Sequence, residues 1–262
     1  MAAPSRAVSS RRGLLFELAR NDFHARYSGS TFGALWAFVQ PVLTIFLYLF
    51  IYQVGFRTAP PQSVPFVLWL IVGIAPWFYF VDGVTMITTA FVEYSFLVKK
   101  VMFDVSIVPL IKLVSTSFIH AIVWLIVLGV LVVSGVRPQL GWVLVPYYFF
   151  AMFALLLGIG RITALITPFF RDLGQMVGVA LQFGFWLTPV LWPLDNAPER
   201  ARWILALNPV FYVVDGLRAA LLPGGSPFDP VRLAVFWSLV GALYVLGRLL
   251  STRLRPSLAD VL

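Results

Sequence analysis

The chain has 262 residues, of which 60% are hydrophobic and 11% charged. Soluble domains carry about 25% charge, and a domain of this length has too little interior to hide so much apolar surface. With a mean hydropathy of +0.92, an ordinary soluble enzyme, a disordered chain and a coiled coil are excluded. The absence of cysteine removes disulfides, thiolate metal sites and cysteine nucleophiles. The net charge of +8 suits basic loops beside anionic lipid, or arginines that hold an anionic headgroup. No basic run is long enough to follow a nucleic acid. Arg6, Arg11 and Arg12 mimic the start of a signal peptide, but the apolar stretch after them is short and holds Glu17, so no cleaved leader is expected.

Uncharged runs mark the expected elements. Residues 11–27 read as a helix of mixed face in the headgroup plane. Ser28-Gly29-Ser30 then lets the chain turn into the bilayer. Crossings are expected near 34–56, 66–90, 107–134, 142–167, 174–192 and 231–251, each long enough to span the hydrocarbon. They must be helical, because lipid offers the backbone no hydrogen-bond partner. The stretch 203–222 is apolar but is broken by Asn208-Pro209 and carries Asp215 and Arg218. Two half-helices in a re-entrant hairpin fit it better than a seventh crossing. The reading is an all-α polytopic membrane protein: an interface segment at 1–30, and one six-helix domain at 31–262 with an inner loop at 91–104 and an outer hairpin at 198–222.

Lysine and arginine set the orientation. With both ends inside, the inner segments hold Arg6, Arg11, Arg12, Arg20, Arg26, Lys99, Lys100, Arg171, Arg253 and Arg255. The outer segments hold Arg57, Arg137, Arg200, Arg202, Arg218 and Arg232. Both termini are therefore expected in the cytoplasm.

No chemistry of bond-making stands out. The acids form no cluster at metal spacing, the histidines are His24 and His120, and G-x-S-x-G, H-E-x-x-H and P-loop patterns are absent. The chain is expected to hydrolyse no nucleotide and to hold no metal or cofactor. Ionisable groups inside crossings are functional candidates by default. Asp82 serves as a structural hydrogen-bonding group or a vestibule carboxylate. Arg161 either snorkels to the cytosol or offers a channel cation, His120 is a packed histidine, and Lys112 is expected to snorkel. The dense aromatics serve as interfacial belts or as a surface on which pyranose rings slide; Trp36, Tyr48, Tyr79, Phe183 and Trp186 are the candidates for lining a channel.

Four segments together resemble the membrane subunits of type-2 ABC exporters for polysaccharides. LARNDFHARYSGSTFGALWAFVQPVL (18–43) carries Arg26, Tyr27, Ser30, Phe32, Gly33, Leu35, Trp36 and Pro41 at the family's positions. SFLVKKVMFDVSIVPL (95–110) resembles its inner coupling segment, with Asp104 in place of a usual proline. FFRDLGQMVGVALQFGFWLTPVLWP (169–193) and LNPVFYVVDGLRAALL (207–222) resemble its R-D, T-P and N-P segments. Arg161 departs from the small or apolar residue expected there. The resemblance implies a homodimer with a channel at its interface and two separate ATPase subunits. ATP and Mg would be held by those partners and none by this chain. The ATPases would dock on Leu18 of the first helix and on Tyr94, Leu97, Lys99, Lys100 and Phe103. The implied cargo is a polyprenyl-diphosphate-linked polysaccharide of O-antigen type crossing the bacterial inner membrane, with Arg20, Arg26 and Arg161 as candidates for its diphosphate. Teichoic-acid or capsule export is the nearest alternative. An ion-coupled carrier using Asp82 and His120, and a membrane glycosyl- or acyltransferase, are alternatives of other classes.

Overall fold

The computed structural model describes residues 11–55, 64–98, 105–225 and 229–262. These residues form helices and connecting turns, with no strand among them. Helix α1 (Arg11–Tyr27) precedes α2 (Trp36–Leu49), which a 3₁₀ turn at Gly33–Leu35 opens and a π-helical turn at Phe50–Gly55 prolongs. Then come α3 (Phe66–Thr88), two single turns α4 (Ala90–Glu93) and α5 (Ser95–Val98), α6 (Val108–Val133) and α7 (Val145–Ile166). The chain ends with α8 (Leu173–Leu187), α9 (Glu199–Ala206), α10 (Pro209–Leu221) and α11 (Pro230–Val261). Five stretches are long and apolar enough to cross a bilayer: Gly33–Gly55, Phe66–Thr88, Val105–Val133, Leu140–Ile166 and Pro230–Leu258. They match five of the six expected crossings.

The sixth, expected at 174–192, is shorter than expected. Helix α8 has 15 residues, about 22 Å at 1.5 Å per residue, against about 30 Å of hydrocarbon. Thr188 precedes Pro189 and takes an extended backbone (φ −86°, ψ 131°), because a proline ring crowds a helical residue before it. The last helix departs in the other direction: it continues past 251 to Val261 through Pro256.

Between them the chain breaks where Asn208-Pro209 stands. Helices α9 and α10 meet at 90°, as two half-helices. Asn208 caps α10, its Oδ1 accepting from Val210 N (2.9 Å) and Phe211 N (3.4 Å), while Pro209 needs no donor partner at the first helical position. Helix α10 is the buried half, covered from Val210 to Leu221 save for partly exposed Asp215 and Ala219.

Helix α3 is the axis of the bundle and packs on α6, α7 and α10. Without a hydrophobic force between helices in lipid, close packing must supply the association. Gly160 of α7 supplies it here: a Cβ at that position would overlap the Ile87 side chain of α3. By contrast, α2 and α8 contain no buried residue. Helix α1 is not simply laid on lipid. Its Ala19 is fully buried with Ile107 and Ile111 at the start of α6, and Leu14, Leu15 and Leu18 pack round them.

Candidate functional site

Two assemblies of polar residues stand out. The first joins α1, the α4–α5 turns and α6. Lys112 of α6 donates to Asp22 Oδ1 of α1 (2.6 Å) and to Glu93 Oε2 (2.5 Å). Tyr94 donates its hydroxyl to the same Asp22 oxygen (2.8 Å). Arg26 stands 3.7 Å from Asp22 Oδ2 and donates to Thr116 Oγ1 (3.3 Å). The Lys112 and Asp22 side chains are almost wholly enclosed. The expectation that Lys112 snorkels is therefore corrected: two carboxylates within reach hold its ammonium inside, which is the condition under which a lysine stays buried. Burial alone would raise the Asp22 pKa, but the Lys112 ammonium and the Tyr94 hydroxyl hold it below the usual carboxylate range. Burial and the neighbouring Asp22 carboxylate push the Tyr94 phenol up.

Of the residues expected to dock a partner, Leu18 packs against α6, and Tyr94 faces inward to Asp22. Leu97 lies half-buried on α5, and Lys99, Lys100 and Phe103 lie outside the described residues. Phe96 and Val92, the latter outside the expected docking set, are exposed apolar groups on the same turns, and Phe96 stacks on Tyr94 at 5.9 Å. Asp22, Glu93 and Lys112 were likewise not anticipated as a set. Lone charges beside apolar runs were their only signal.

The second assembly is a groove of about 830 Å³ between the end of α1, α2, α3 and α8. Trp36, Tyr48, Trp77, Phe185 and Trp186 line it, with the polar groups of Arg26, Gln40, Thr44, Asp82, Thr85 and Gln182. Tyr48 stacks on Phe185 (5.5 Å, 27°), tying α2 to α8. Three of the expected lining residues, Trp36, Tyr48 and Trp186, thus meet on one surface. Phe183 is exposed on α8 outside this groove. Tyr79 is corrected from a lining position to a core one. It is 1% exposed, donates to Ser117 Oγ (2.7 Å), whose own proton goes to Leu113 O, and stacks on Phe149 at 4.9 Å. The arginine set also divides. Arg26 lines the groove, Arg20 is exposed on α1, and Arg161 stands on α7 beside Gly247 of α11.

Asp82 lines the groove from α3. Its Oδ2 is 2.9 Å from His120 Nε2. A carboxylate can only accept, so Nε2 carries the proton. His120 is enclosed, with its ring 4.8 Å from that of Tyr79. This is the structural hydrogen bond foreseen for Asp82, and half of the carboxylate still faces the groove.

At the far end of the bundle, Arg218 of α10 is buried among carbonyls. Nε donates to Trp69 O (3.4 Å), Nη1 to Pro189 O (2.9 Å) and Nη2 to Val190 O, and the guanidinium lies 3.4 Å from the Trp69 ring centroid. The Pro189 and Val190 carbonyls are left without helical partners by the break after α8, and lipid cannot satisfy them; the Trp69 carbonyl belongs to the first turn of α3. Asn208 Nδ2 adds a bond to Thr188 Oγ1 (3.0 Å). Asp215 pairs with Arg232 of α11 at 2.6 Å. No group of three acidic or histidine side chains suited to a metal occurs among the described residues.

Such an arrangement can bind and guide a long polar molecule. Comparison with known proteins agrees. Residues 13–222 match the ABC-2 type transporter model. The chain is 27% identical to the O-antigen export system permease protein RfbA of Klebsiella pneumoniae over 250 residues, 95% of each chain. It is 32% identical to the protein of the same name from Myxococcus xanthus, over 87% of this chain and 90% of that one. A more distant likeness, 21% over 78% and 79%, is to the polysialic acid transport protein KpsM of Escherichia coli. With a family model covering most of its length, and five spans and a broken hairpin in its fold, the chain belongs to the ABC-2 type transporter family of integral membrane permeases.

Proposed function

We propose that this chain is the channel-forming subunit of an ATP-driven exporter that moves a polyprenyl-diphosphate-linked polysaccharide of O-antigen type across the bacterial inner membrane. The observation that carries this reading is the groove, in which aromatic faces alternate with amide and hydroxyl groups. Aromatic faces pack on the apolar faces of sugar rings, and amides exchange hydrogen bonds with hydroxyls as a chain slides past. The permeases of Klebsiella and Myxococcus, named for O-antigen export, support the same cargo. Two copies of the chain would close the channel through α2 and α8, none of whose residues is buried within one copy. Two separate ATPase subunits, holding ATP and Mg, would dock on α1 and the 91–104 segment, with both termini in the cytoplasm. The Lys112 assembly joins those two docking elements to α6, so a push on either is passed to a spanning helix. Arg26, which α1 brings to the groove, is the arginine best placed for the diphosphate.

The test is to purify the tagged chain from its native membranes under mild detergent. An ATPase subunit at one-to-one ratio, and loss of surface glycan on deletion of this chain's gene, are expected. A homomer free of ATPase from cells that still export the glycan would overturn the reading.

A further inference from the structure

The groove carries an anion that glycan sliding does not require. Asp82 is its one carboxylate and Arg26 its one cation among the described lining residues, and Arg26 is already engaged by Asp22 and Thr116. A carboxylate within a spanning helix is costly and is retained where it has a task. Asp82 is also held still. His120 donates to Oδ2 from a position 2% exposed, and its ring is backed by Tyr79, which Ser117 fixes in turn. Among the described residues, His120 Nδ1 is enclosed without a hydrogen-bond partner and the polar tie of the imidazole is the one to Asp82. The ring thus serves to orient the carboxylate, whose side chain stays 53% exposed toward the groove.

Building on the export reading, we propose that Asp82, positioned by His120, is the residue that selects an uncharged glycan over a polyanionic one. A fixed carboxylate accepts hydrogen bonds from sugar hydroxyls, which donate freely. It cannot accept from a uronate or sialate carboxylate, and in a half-enclosed groove the two negative charges repel far more strongly than in water. Gln40 and Gln182 offer both donors and acceptors on the same surface and favour neither class of glycan. The diphosphate of a lipid-linked glycan is a single terminal group, whereas every repeat of a polyanion would have to pass Asp82.

The full-length chain in lipid nanodiscs is titrated with two probes of equal length, a neutral mannoheptaose and a heptagalacturonate, and binding is read by saturation-transfer NMR. The wild type is expected to prefer the neutral probe by about tenfold, the scale of one like-charge contact at intermediate dielectric. Asp82→Asn keeps the shape and a hydrogen-bonding group, and is expected to bring the two affinities within about twofold, chiefly through a gain for the galacturonate. Asp82→Glu keeps the charge and is expected to keep the preference. A wild type that prefers the galacturonate, or that binds neither probe, overturns the proposal whether or not any variant folds. So does an Asp82→Asn protein, monodisperse by gel filtration, with an unchanged ratio. The export reading stands or falls separately, on ATPase co-purification and glycan loss: an unchanged ratio in a chain that still exports glycan with its ATPase refutes selection by Asp82 alone.

Discussion

Lys112, one turn into α6, donates to Asp22 of α1 at 2.6 Å, and both side chains are closed off from solvent. Ninety residues of sequence separate them. The pair fastens the first helix to a spanning helix, and Glu93 and Tyr94 add the turns that follow α3.

Removing one partner of an enclosed pair leaves the other charge stranded. Lys112→Met is expected to cost about 3–5 kcal/mol and to lower the melting temperature of the detergent-solubilised protein. Because the cost lies in the stranded carboxylate, adding Asp22→Asn should restore much of it. A double variant as unstable as the sum of its parts would show that the two residues act independently.

The same pair has a pH signature. Asp22 is held below its ordinary pKa, so its ionised form stabilises the fold above the unfolded value of about 3.9. That contribution is lost as pH falls through the lowered folded value. Protection of α1 from proteolysis should therefore persist from neutrality down to about pH 4 and fail at lower pH. In Asp22→Asn the acid step assigned to this group should vanish. A wild-type α1 released at pH 6 would contradict the assignment.

Arg218 donates to two carbonyls at the break after α8, those of Pro189 and Val190, and to the Trp69 carbonyl of α3. Arg218→Ala is expected to destabilise by about 2–4 kcal/mol, since the carbonyls lose their donors in a place water does not reach. Arg218→Lys should not rescue, because an ammonium lacks the planar fork and the stacking face that meet Trp69. Thermal unfolding of the three proteins side by side measures this, and a stable lysine variant would refute the geometric account.

Asn208→Ala removes the cap of α10 and the bond to Thr188, at an expected cost of about 1–2 kcal/mol. Asn208→Asp keeps the acceptor for the helix amides but loses the donor to Thr188, and should fall between the two. Hydrogen exchange of the Val210 and Phe211 amides should quicken most in the alanine variant.

Trp186→Ala opens one aromatic wall of the groove without touching the α1–α6 assembly. Surface glycan is expected to drop several-fold while the amount of ATPase recovered with the chain stays constant. Loss of the ATPase together with the glycan would place Trp186 in docking or folding instead.

Much of this was legible in the residues. Hydrocarbon thickness and backbone hydrogen bonding leave a run such as 107–134 one option, and the structure follows it to within two residues at Val105–Val133. Asn208-Pro209 marked the break of 203–222 because proline's effect on its predecessor is local. The same rule, applied to Thr188-Pro189, would have ended α8 at Leu187; hydropathy masked it, since residues 188–193 are nearly as apolar as a helix. Trp36, Tyr48 and Trp186 were chosen from aromatic density and do share the groove, but Tyr79 and Phe183 have the same composition and lie elsewhere.

Residence in a bilayer, the rough positions of the crossings and the break in the hairpin can be read from the residues, because they follow from interactions within a few residues or with the solvent. The burial of Lys112 between Asp22 and Glu93, the hold of His120 on Asp82, and the bonds of Arg218 to the carbonyls of 189 and 190 depend instead on how the helices pack. Each of these is a charge whose fate depends on a partner from 19 to 90 residues away, and no local pattern reports which helices will stand side by side.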